Sequence, residues 1–263
     1  NMSQSGRSFE DVLDEAQKLC YAETDPSFDV DGVDTAHKLA ILSSIAFGTE
    51  VDFESVHTEG IRKVSPIDIQ FAERLGYGIK LLGVAKQTRN GIEQRVHPCM
   101  VPMNSPINHV SGVFNGVVVE GDFVDSTIYE GRGAGAGPTA SAVIADIIDI
   151  ARGLRIPAFG VPAVSLAKPQ TVAMSEHSGP YYVRLMVVDA PGVFAEVAGC
   201  LRDHNVSMES VLQQSRDLGE PVPVVMTVHE TKESDMINTL NDIANIEAVV
   251  EYPTMIRIQT FQN

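Results

Sequence analysis

The spacing of apolar residues predicts helices in the first third of the chain. Residues 8–19 (SFEDVLDEAQKL) and 32–47 (GVDTAHKLAILSSIAF) repeat apolar positions every three to four residues, as one face of a helix does. Gly48 ends the second of these helices, because glycine readily adopts the left-handed conformation that closes a helix. A third helix is predicted over residues 65–75, with a proline at its first helical position.

From residue 78 to residue 129 the apolar period falls to two, which is the period of a β-strand. Asn90-Gly91 separates two such runs and predicts a hairpin, since both residues tolerate the positive φ of a tight turn. Asn115-Gly116 and Gly121-Asp122 lie among further β-branched runs. We therefore expect a mostly antiparallel sheet in this region.

The last third of the chain predicts the order strand, helix, strand, strand, helix, strand. These elements span residues 181–189, 191–205, 206–213, 223–229, 232–244 and 248–258. This order is that of a ferredoxin-like βαββαβ sandwich. We expect an α/β (α+β) protein: a first domain over 1–167 with a mixed, largely antiparallel sheet and flanking helices, a polar linker over 168–179, and the βαββαβ domain over 180–263.

Composition narrows the possible functions. The chain has 263 residues, 44% of them hydrophobic and 21% charged, as in ordinary globular proteins. With 35 acidic and 19 basic residues its net charge is −16, which argues against nucleic acid or an anionic membrane as partner.

No apolar run is long enough for a membrane span, and no signal peptide is expected. Three scattered cysteines without a CxxC motif indicate a reducing compartment, the cytoplasm. The histidines lack metal-ligand spacing, so no metal site is expected.

An acidic stretch precedes the second helix and carries the first candidate site. It contains Glu23, Asp25, Asp29 and Asp31. Asp34 and Lys38 follow four residues apart, so they share a helix face. The same row continues to Ile41 or Leu42 and then Ile45, and we expect it to be buried. A lysine on that row requires a carboxylate partner or a lowered pKa, and either property suits proton transfer. An ordinary surface ion pair and a divalent-cation site are the alternatives.

A glycine-rich loop over residues 131–137 is the second candidate site. Gly131, Gly133 and Ala136 match G-x-G-x-x-A, and a helix is predicted over 139–152. The preceding strands form hairpins, however, and no acidic residue ends a following strand, so an independent dinucleotide-binding fold is not expected. The loop instead allows a cofactor to approach the helix N-terminus closely. A tightly packed glycine turn is the alternative.

The turn before the first helix of the βαββαβ domain is the third candidate site. It reads Asp189-Ala190-Pro191-Gly192-Val193, and Asn205 follows the helix. The glycine allows a ligand to reach backbone amides at the helix N-terminus, and the asparagine adds a side-chain amide. The alternative is a turn that requires proline and glycine for its geometry alone.

Several of these motifs resemble one enzyme family. The stretches GRSFEDVLDEAQKL, YAETDPSFDVDGVDTAHKLAILSSIAFG, SPIDIQFAERLGYGIKLLG, GVFNGVVVEGD and GRGAGAGPTASAVIADI resemble the second half of homoserine dehydrogenase, and residues 180–260 resemble an ACT domain, an amino-acid-sensing module. The resemblance implies the NAD(P)-dependent interconversion of L-homoserine and L-aspartate 4-semialdehyde, in the biosynthesis of threonine, methionine and isoleucine. It also implies feedback by threonine and a homodimer or homotetramer.

The resemblance assigns roles to individual residues. Lys38 matches the proton donor and acceptor, and we expect Asp34 to orient it. The substrate pocket is implied for Glu23, which holds the amino group, and for Asp29 and Tyr21. Gly133 and Gly135 belong to the loop at the nicotinamide end of the cofactor. Threonine binding is implied for Asp189, Gly192, Val193 and Asn205.

Two departures from the family pattern change what is expected of this chain. The family's nucleotide-binding domain is not part of the sequence, so we expect the chain alone neither to bind NAD(P) strongly nor to turn over. Cys20 stands where the family usually has glycine. A second functional hypothesis therefore stays open, that of a non-catalytic amino-acid-binding regulatory protein built on the ACT domain.

Overall fold

The computed structural model describes residues 9–18, 25–213 and 221–261, apart from the side chain of Ala16. Three residues that the sequence analysis singled out, Cys20, Tyr21 and Glu23, lie outside the described residues. The helices are α1 Phe9–Lys18, α2 Ser27–Val30, α3 Val33–Phe47, α4 Pro66–Arg74, α5 Pro106–His109, α6 Ala136–Ala151, α7 Val193–Asp203 and α8 Glu233–Ala244. The strands are β1 His57–Thr58, β2 Tyr77–Thr88, β3 Gly91–Pro102, β4 Phe114–Gly121, β5 Asp125–Arg132, β6 Ser178–Val188, β7 Met208–Gln213, β8 Pro221–Lys232 and β9 Thr254–Ile258.

The predicted hairpins are present. Strands β2 and β3 pair antiparallel along their whole length, with Thr88 opposite Gly91 around Arg89-Asn90. Strands β4 and β5 form a separate two-stranded sheet, closed between Gly121 and Asp125. The mixed α/β class is confirmed, with helices flanking a mixed sheet.

The C-terminal unit has the predicted βαββαβ order, and its sheet runs β9-β6-β8-β7. Helices α7 and α8 cover one face of it, with Val197, Leu201, Met236, Leu240 and Ile243 in the core. The last strand is shorter than the predicted 248–258. Pro253 has no amide hydrogen to donate, so regular pairing begins after it, at Thr254.

One sheet runs through both predicted domains. Strand β9 pairs with β6 on one side and, in parallel, with β3 on the other, where Cys99 and Met100 lie opposite Arg257 and Ile258. Helix α4 of the first unit packs on the second face of the C-terminal sheet, and the two share a hydrophobic core. That core contains Phe71, Ala72, Met100, Tyr182, Val225, Ile256 and Ile258.

The sequence of α4 explains its position. Ser65 caps the helix: its hydroxyl accepts from the amide of Asp68, and the Asp68 carboxylate accepts from the Ser65 amide at 3.3 Å. The Asp68 side chain is fully buried and also accepts from Tyr182 Oη at 3.0 Å and Arg184 Nε at 2.7 Å. The same carboxylate therefore caps the N-terminus of a helix of one unit and binds the sheet of the other.

Candidate active site

Asp25, Asp29 and Asp31 of the first candidate site lie on one surface turn around α2. The amide of Ser27 donates to Asp25 Oδ1 at 3.1 Å, and hydrogen bonds from Ser27 lower the pKa of that carboxyl. Asp29 lies in α2 and is exposed. Gly32, at φ 81°, turns the chain into α3, and a Cβ there would lie only 3.0 Å from Cγ1 of Val96. The turn thus presents carboxylates to solvent just before α3.

Lys38 and Asp34 form an ion pair on the next helix. The Lys38 Nζ lies 2.5 Å from Asp34 Oδ2, one turn apart on α3, as their spacing predicts. The two side chains are 60% and 35% exposed. The pair therefore lies where a ligand can reach it.

The prediction that the Lys38 row is buried is wrong. Ile41, Leu42 and Ile45 are 47%, 45% and 48% exposed. The buried face of α3 carries smaller side chains instead, namely Ala36, Leu39, Ala40, Ser43 and Ser44. It packs closely on β2 because Gly83 leaves room there: a Cβ on Gly83 would lie 3.2 Å from Cγ2 of Thr35. Lys38 therefore stands on an open, partly apolar surface.

Two contacts that the sequence did not indicate fix the acidic turn. The His37 ring lies between the rings of Phe28 and Phe53, with centroid distances of 5.7 Å and 3.9 Å. Arg62 donates from Nε and Nη2 to the Asp31 carboxylate at 2.6 Å and 3.1 Å, and this hydrogen-bonded pair lowers the pKa of Asp31. These partners are far apart in sequence, so no local pattern identifies them.

The glycine loop lies between β5 and α6. Gly135 precedes α6 at φ 122°, a conformation that favours glycine, and no side chain caps the helix. A Cβ on Gly133 would overlap the side-chain amide of Asn115, so glycine is also required there for packing. The loop is exposed and leaves the first amides of α6 open to an anionic or polar group. Its geometry fits the close approach of a cofactor.

The third candidate site is divided between the two ends of α7. Gly192, at φ 97°, lies at the N-terminus, and Val193 packs against the domain core. Asn205 follows the C-terminus at φ 56°, where asparagine is tolerated, so helix termination explains this residue. An eleven-residue helix is about 16 Å long, so one small molecule cannot contact both ends within one chain.

A family model for homoserine dehydrogenase matches residues 1–148, and a model for the ACT domain matches residues 181–248. The chain belongs to the homoserine dehydrogenase family. It is 41% identical to the homoserine dehydrogenase of Pseudomonas aeruginosa, over 98% of this chain and 61% of that protein. It is 42% identical to that of Helicobacter pylori, over 98% of this chain and 61% of that protein.

Solved structures of the family share the fold. A crystal structure of a homoserine dehydrogenase from Thiobacillus denitrificans matches with a TM-score of 0.91 at 42% identity, over 98% of this chain and 60% of that one. The Staphylococcus aureus enzyme at pH 7.0 matches with a TM-score of 0.74 at 26% identity, over 98% of this chain and 61% of that one. The chain thus spans about three fifths of the length of these relatives.

Metal clusters and membrane-spanning helices are absent from the described residues. Within 9–18, 25–213 and 221–261, no three His, Cys, Asp or Glu side chains are grouped so as to hold a metal ion. No helix in the same ranges is both long and apolar enough to cross a membrane.

Proposed function

We propose that this chain supplies the substrate-binding part and the ACT regulatory domain of an NAD(P)-dependent homoserine dehydrogenase. The reaction interconverts L-homoserine and L-aspartate 4-semialdehyde in the biosynthesis of threonine, methionine and isoleucine, in the cytoplasm. The observation that carries the proposal is the exposed Lys38–Asp34 pair, which directly follows an acidic turn on the same face of the fold. The family membership of the chain supports this reaction as one for which such a pair is suited.

The roles of these residues follow from their chemistry. In homoserine oxidation the neutral amine of Lys38 takes the proton of the substrate hydroxyl. In the reverse direction its ammonium group gives that proton to the carbonyl oxygen. Asp34 holds the Nζ in place through its hydrogen bond. The family resemblance implies that Glu23 binds the positively charged amino group of the substrate and that Asp29 and Tyr21 belong to the same pocket.

The nicotinamide, when bound, exchanges a hydride with the substrate carbon that bears the hydroxyl or carbonyl. Gly133 and Gly135 border its site, since the loop brings backbone rather than side chains to the cofactor. The family resemblance implies that most of the cofactor is held by the part of the full-length relatives that lies outside the match to this chain.

A hybrid enzyme tests the catalytic proposal. This chain replaces the matching 61% of the Pseudomonas aeruginosa relative, and homoserine oxidation is followed by the absorbance of the reduced nicotinamide. We expect Lys38→Ala to lower kcat by about 10²- to 10⁴-fold. Lys168→Ala, at an exposed lysine of the linker, serves as the matched control and leaves kcat unchanged. A Lys38→Ala hybrid with the unaltered kcat would contradict the role of Lys38.

We propose that threonine binds the ACT domain between two copies of the chain. The turn Asp189–Val193 of one copy and Asn205 of the other would then contact the same molecule, because the two ends of α7 are too far apart within one chain. This arrangement accounts for all four residues and links feedback to assembly.

Thermal unfolding tests the effector proposal. A ligand at a hundredfold excess over its Kd stabilises the folded state by about 2.7 kcal/mol. We expect L-threonine to raise the Tm, D-threonine to leave it unchanged, and Asp189→Asn to abolish the effect. L-Homoserine is measured in parallel. Stabilisation by threonine without any by homoserine would favour the regulatory protein without catalysis.

A further inference from the structure

A row of charged contacts leads from the ACT domain to the acidic turn. Arg257 on β9 is 5% exposed and donates from Nη1 and Nη2 to the Glu59 carboxylate at 3.0 Å and 2.8 Å. Its Nε donates to Glu233, the first residue of α8, at 3.0 Å. Tyr181 Oη donates to the same Glu233 oxygen at 2.9 Å. Glu59 is therefore fixed by the core of the ACT domain.

The other end of this row holds the acidic turn. The amide of Ile61 donates to the carbonyl of Val30 at 3.0 Å. Arg62 binds Asp31 with two hydrogen bonds and also donates to Ser27 Oγ at 3.1 Å. Gly60, between these two contacts, packs directly on the turn: a Cβ there would overlap the Val30 carbonyl oxygen and the Cα of Asp31.

The segment Glu59–Arg62 is short and held at both ends by charge-assisted pairs. Only Gly60 and Ile61 separate Glu59 from Arg62, and both contact the acidic turn: Gly60 packs on Val30 and Asp31, and the Ile61 amide donates to the Val30 carbonyl. Burial raises the pKa of the Glu59 carboxyl, but the hydrogen bonds from His57 and Arg257 outweigh it, so Glu59 stays ionised and its pairs persist. A change at Arg257 is therefore passed to Asp31 through contacts that are all on this one segment.

We propose that Arg62 is a positioning residue for the acidic substrate turn, and that Glu59 and Arg257 couple this turn to the ACT domain. The inference rests on the proposed function in taking this turn as the substrate pocket. The regulatory connection then runs through the segment Glu59–Arg62 within one chain. Such coupling is reciprocal, so a change at either end alters the other.

Hydrogen–deuterium exchange of the full chain tests the coupling without any ligand. Glu233→Gln alters the ACT end and contacts no residue of the turn. We expect it to speed amide exchange over residues 27–34 about fivefold or more, and to have no further effect on them when Glu59→Gln is already present. Glu251→Gln is the matched control, because Glu251 accepts from Arg184 in a separate interdomain network. It is expected to leave the turn unchanged.

Independent effects of the two substitutions on the acidic turn would overturn the coupling. Unchanged exchange over 27–34 in folded Glu233→Gln, or effects of Glu233→Gln and Glu59→Gln that simply multiply, would each refute it. If Glu233→Gln does not fold, Arg62→Ala decides the question from the other end, since Arg62 is half exposed. It must then change exchange in the first turn of α8, and must fail to do so when Glu59→Gln is present.

Kinetics of the hybrid enzyme test the positioning role. Losing the two bonds to Asp31 should raise the KM for homoserine about tenfold in Arg62→Ala, with kcat within about twofold, because Arg62 orients the turn and not the reacting atoms. An unchanged KM would overturn this role. Absence of turnover in the unaltered hybrid would refute the proposed function, whereas the exchange experiment would still decide the coupling.

Discussion

His97 shows how much a single buried residue contributes to the pH dependence of this protein. Its side chain is 1% exposed on β3, with Nδ1 at 3.2 Å from Sγ of Cys99 and 3.1 Å from the Pro98 carbonyl. Burial, and then the nearby charge of Arg257, lower its pKa to about 3. In the unfolded chain the pKa of histidine is about 6.5. Between about pH 3 and pH 6.5, His97 is therefore neutral in the folded state and protonated in the unfolded state.

The sign of the resulting pH effect is fixed. Between about pH 6.5 and pH 3 the unfolded state binds a proton that the folded state excludes, so stability falls as the pH falls. We expect the free energy of unfolding attributable to His97 to drop by about 2 kcal/mol from pH 7 to pH 5. Urea unfolding at both pH values, with His97→Gln as comparison, measures this. Equal pH dependence in the two proteins would rule out the histidine as its source.

The sequence predicts side-chain pairs between neighbouring residues and misses those between distant ones. The Asp34–Lys38 contact follows from a spacing of four residues on a helix, and the structure has it. The predicted burial of the helix row through that pair is wrong, because α3 packs on β2 through another face, where Gly83 approaches Thr35. Arg62 and Asp31 are 31 residues apart, and nothing in either local sequence indicates the pair. Residues 21 and 23 of the proposed pocket stay predictions.

Gly60 is the critical residue of the Glu59–Arg62 segment. An added methyl group would overlap the backbone of Val30 and Asp31 and force the two segments apart. We expect Gly60→Ala to lower the free energy of unfolding by about 1–3 kcal/mol. Gly199→Ala is the matched control: it lies within α7, where a Cβ meets nothing within 4 Å, and should stabilise by up to about 1 kcal/mol. Urea midpoints that move alike would contradict the packing argument.

Element order was largely predictable here because the hydrophobic period changes clearly along the chain. The hairpins at Asn90-Gly91 and Gly121-Asp122 and the βαββαβ order are all present. The short helix α2 was not predicted. It has only four residues, too few to show a hydrophobic period. The contact of Phe28, within it, with His37 on the next helix helps to hold it.

Continuity of the two units is a property of the whole molecule that the sequence did not reveal. The linker pattern around residues 168–179 indicates separate domains, yet β9 joins β3 through a two-residue parallel ladder. Parallel pairing between strands some 150 residues apart depends on the packing of α4 and on the buried Asp68 carboxylate rather than on local pattern. The shared sheet provides the setting in which a change in the ACT domain reaches the acidic turn.

An apolar arm lies apart from this sheet. It consists of the β4–β5 hairpin and helix α6, and none of the α6 residues is buried. Apolar side chains project from several sides of that helix, with Val143, Ile144, Ile147, Ile148 and Ile150 between 42% and 75% exposed. A helix that is apolar all round is stable only when other protein covers it. We expect a second copy of the chain to cover this arm, in the homodimer or homotetramer that the family resemblance implies.

Sedimentation velocity of the chain alone tests this assembly. We expect a dimer at micromolar concentration, because burying the exposed isoleucines of α6 removes a large apolar area from water. Ile147→Asp should yield a folded monomer: the residue is 53% exposed in a single copy, so the change disturbs the interface and not the fold. Val164→Asp, at a residue 96% exposed outside the arm, should leave the dimer intact. A monomer throughout the micromolar range in the unaltered chain would instead assign the apolar surface of α6 to the two fifths of the full-length relatives that this chain does not match.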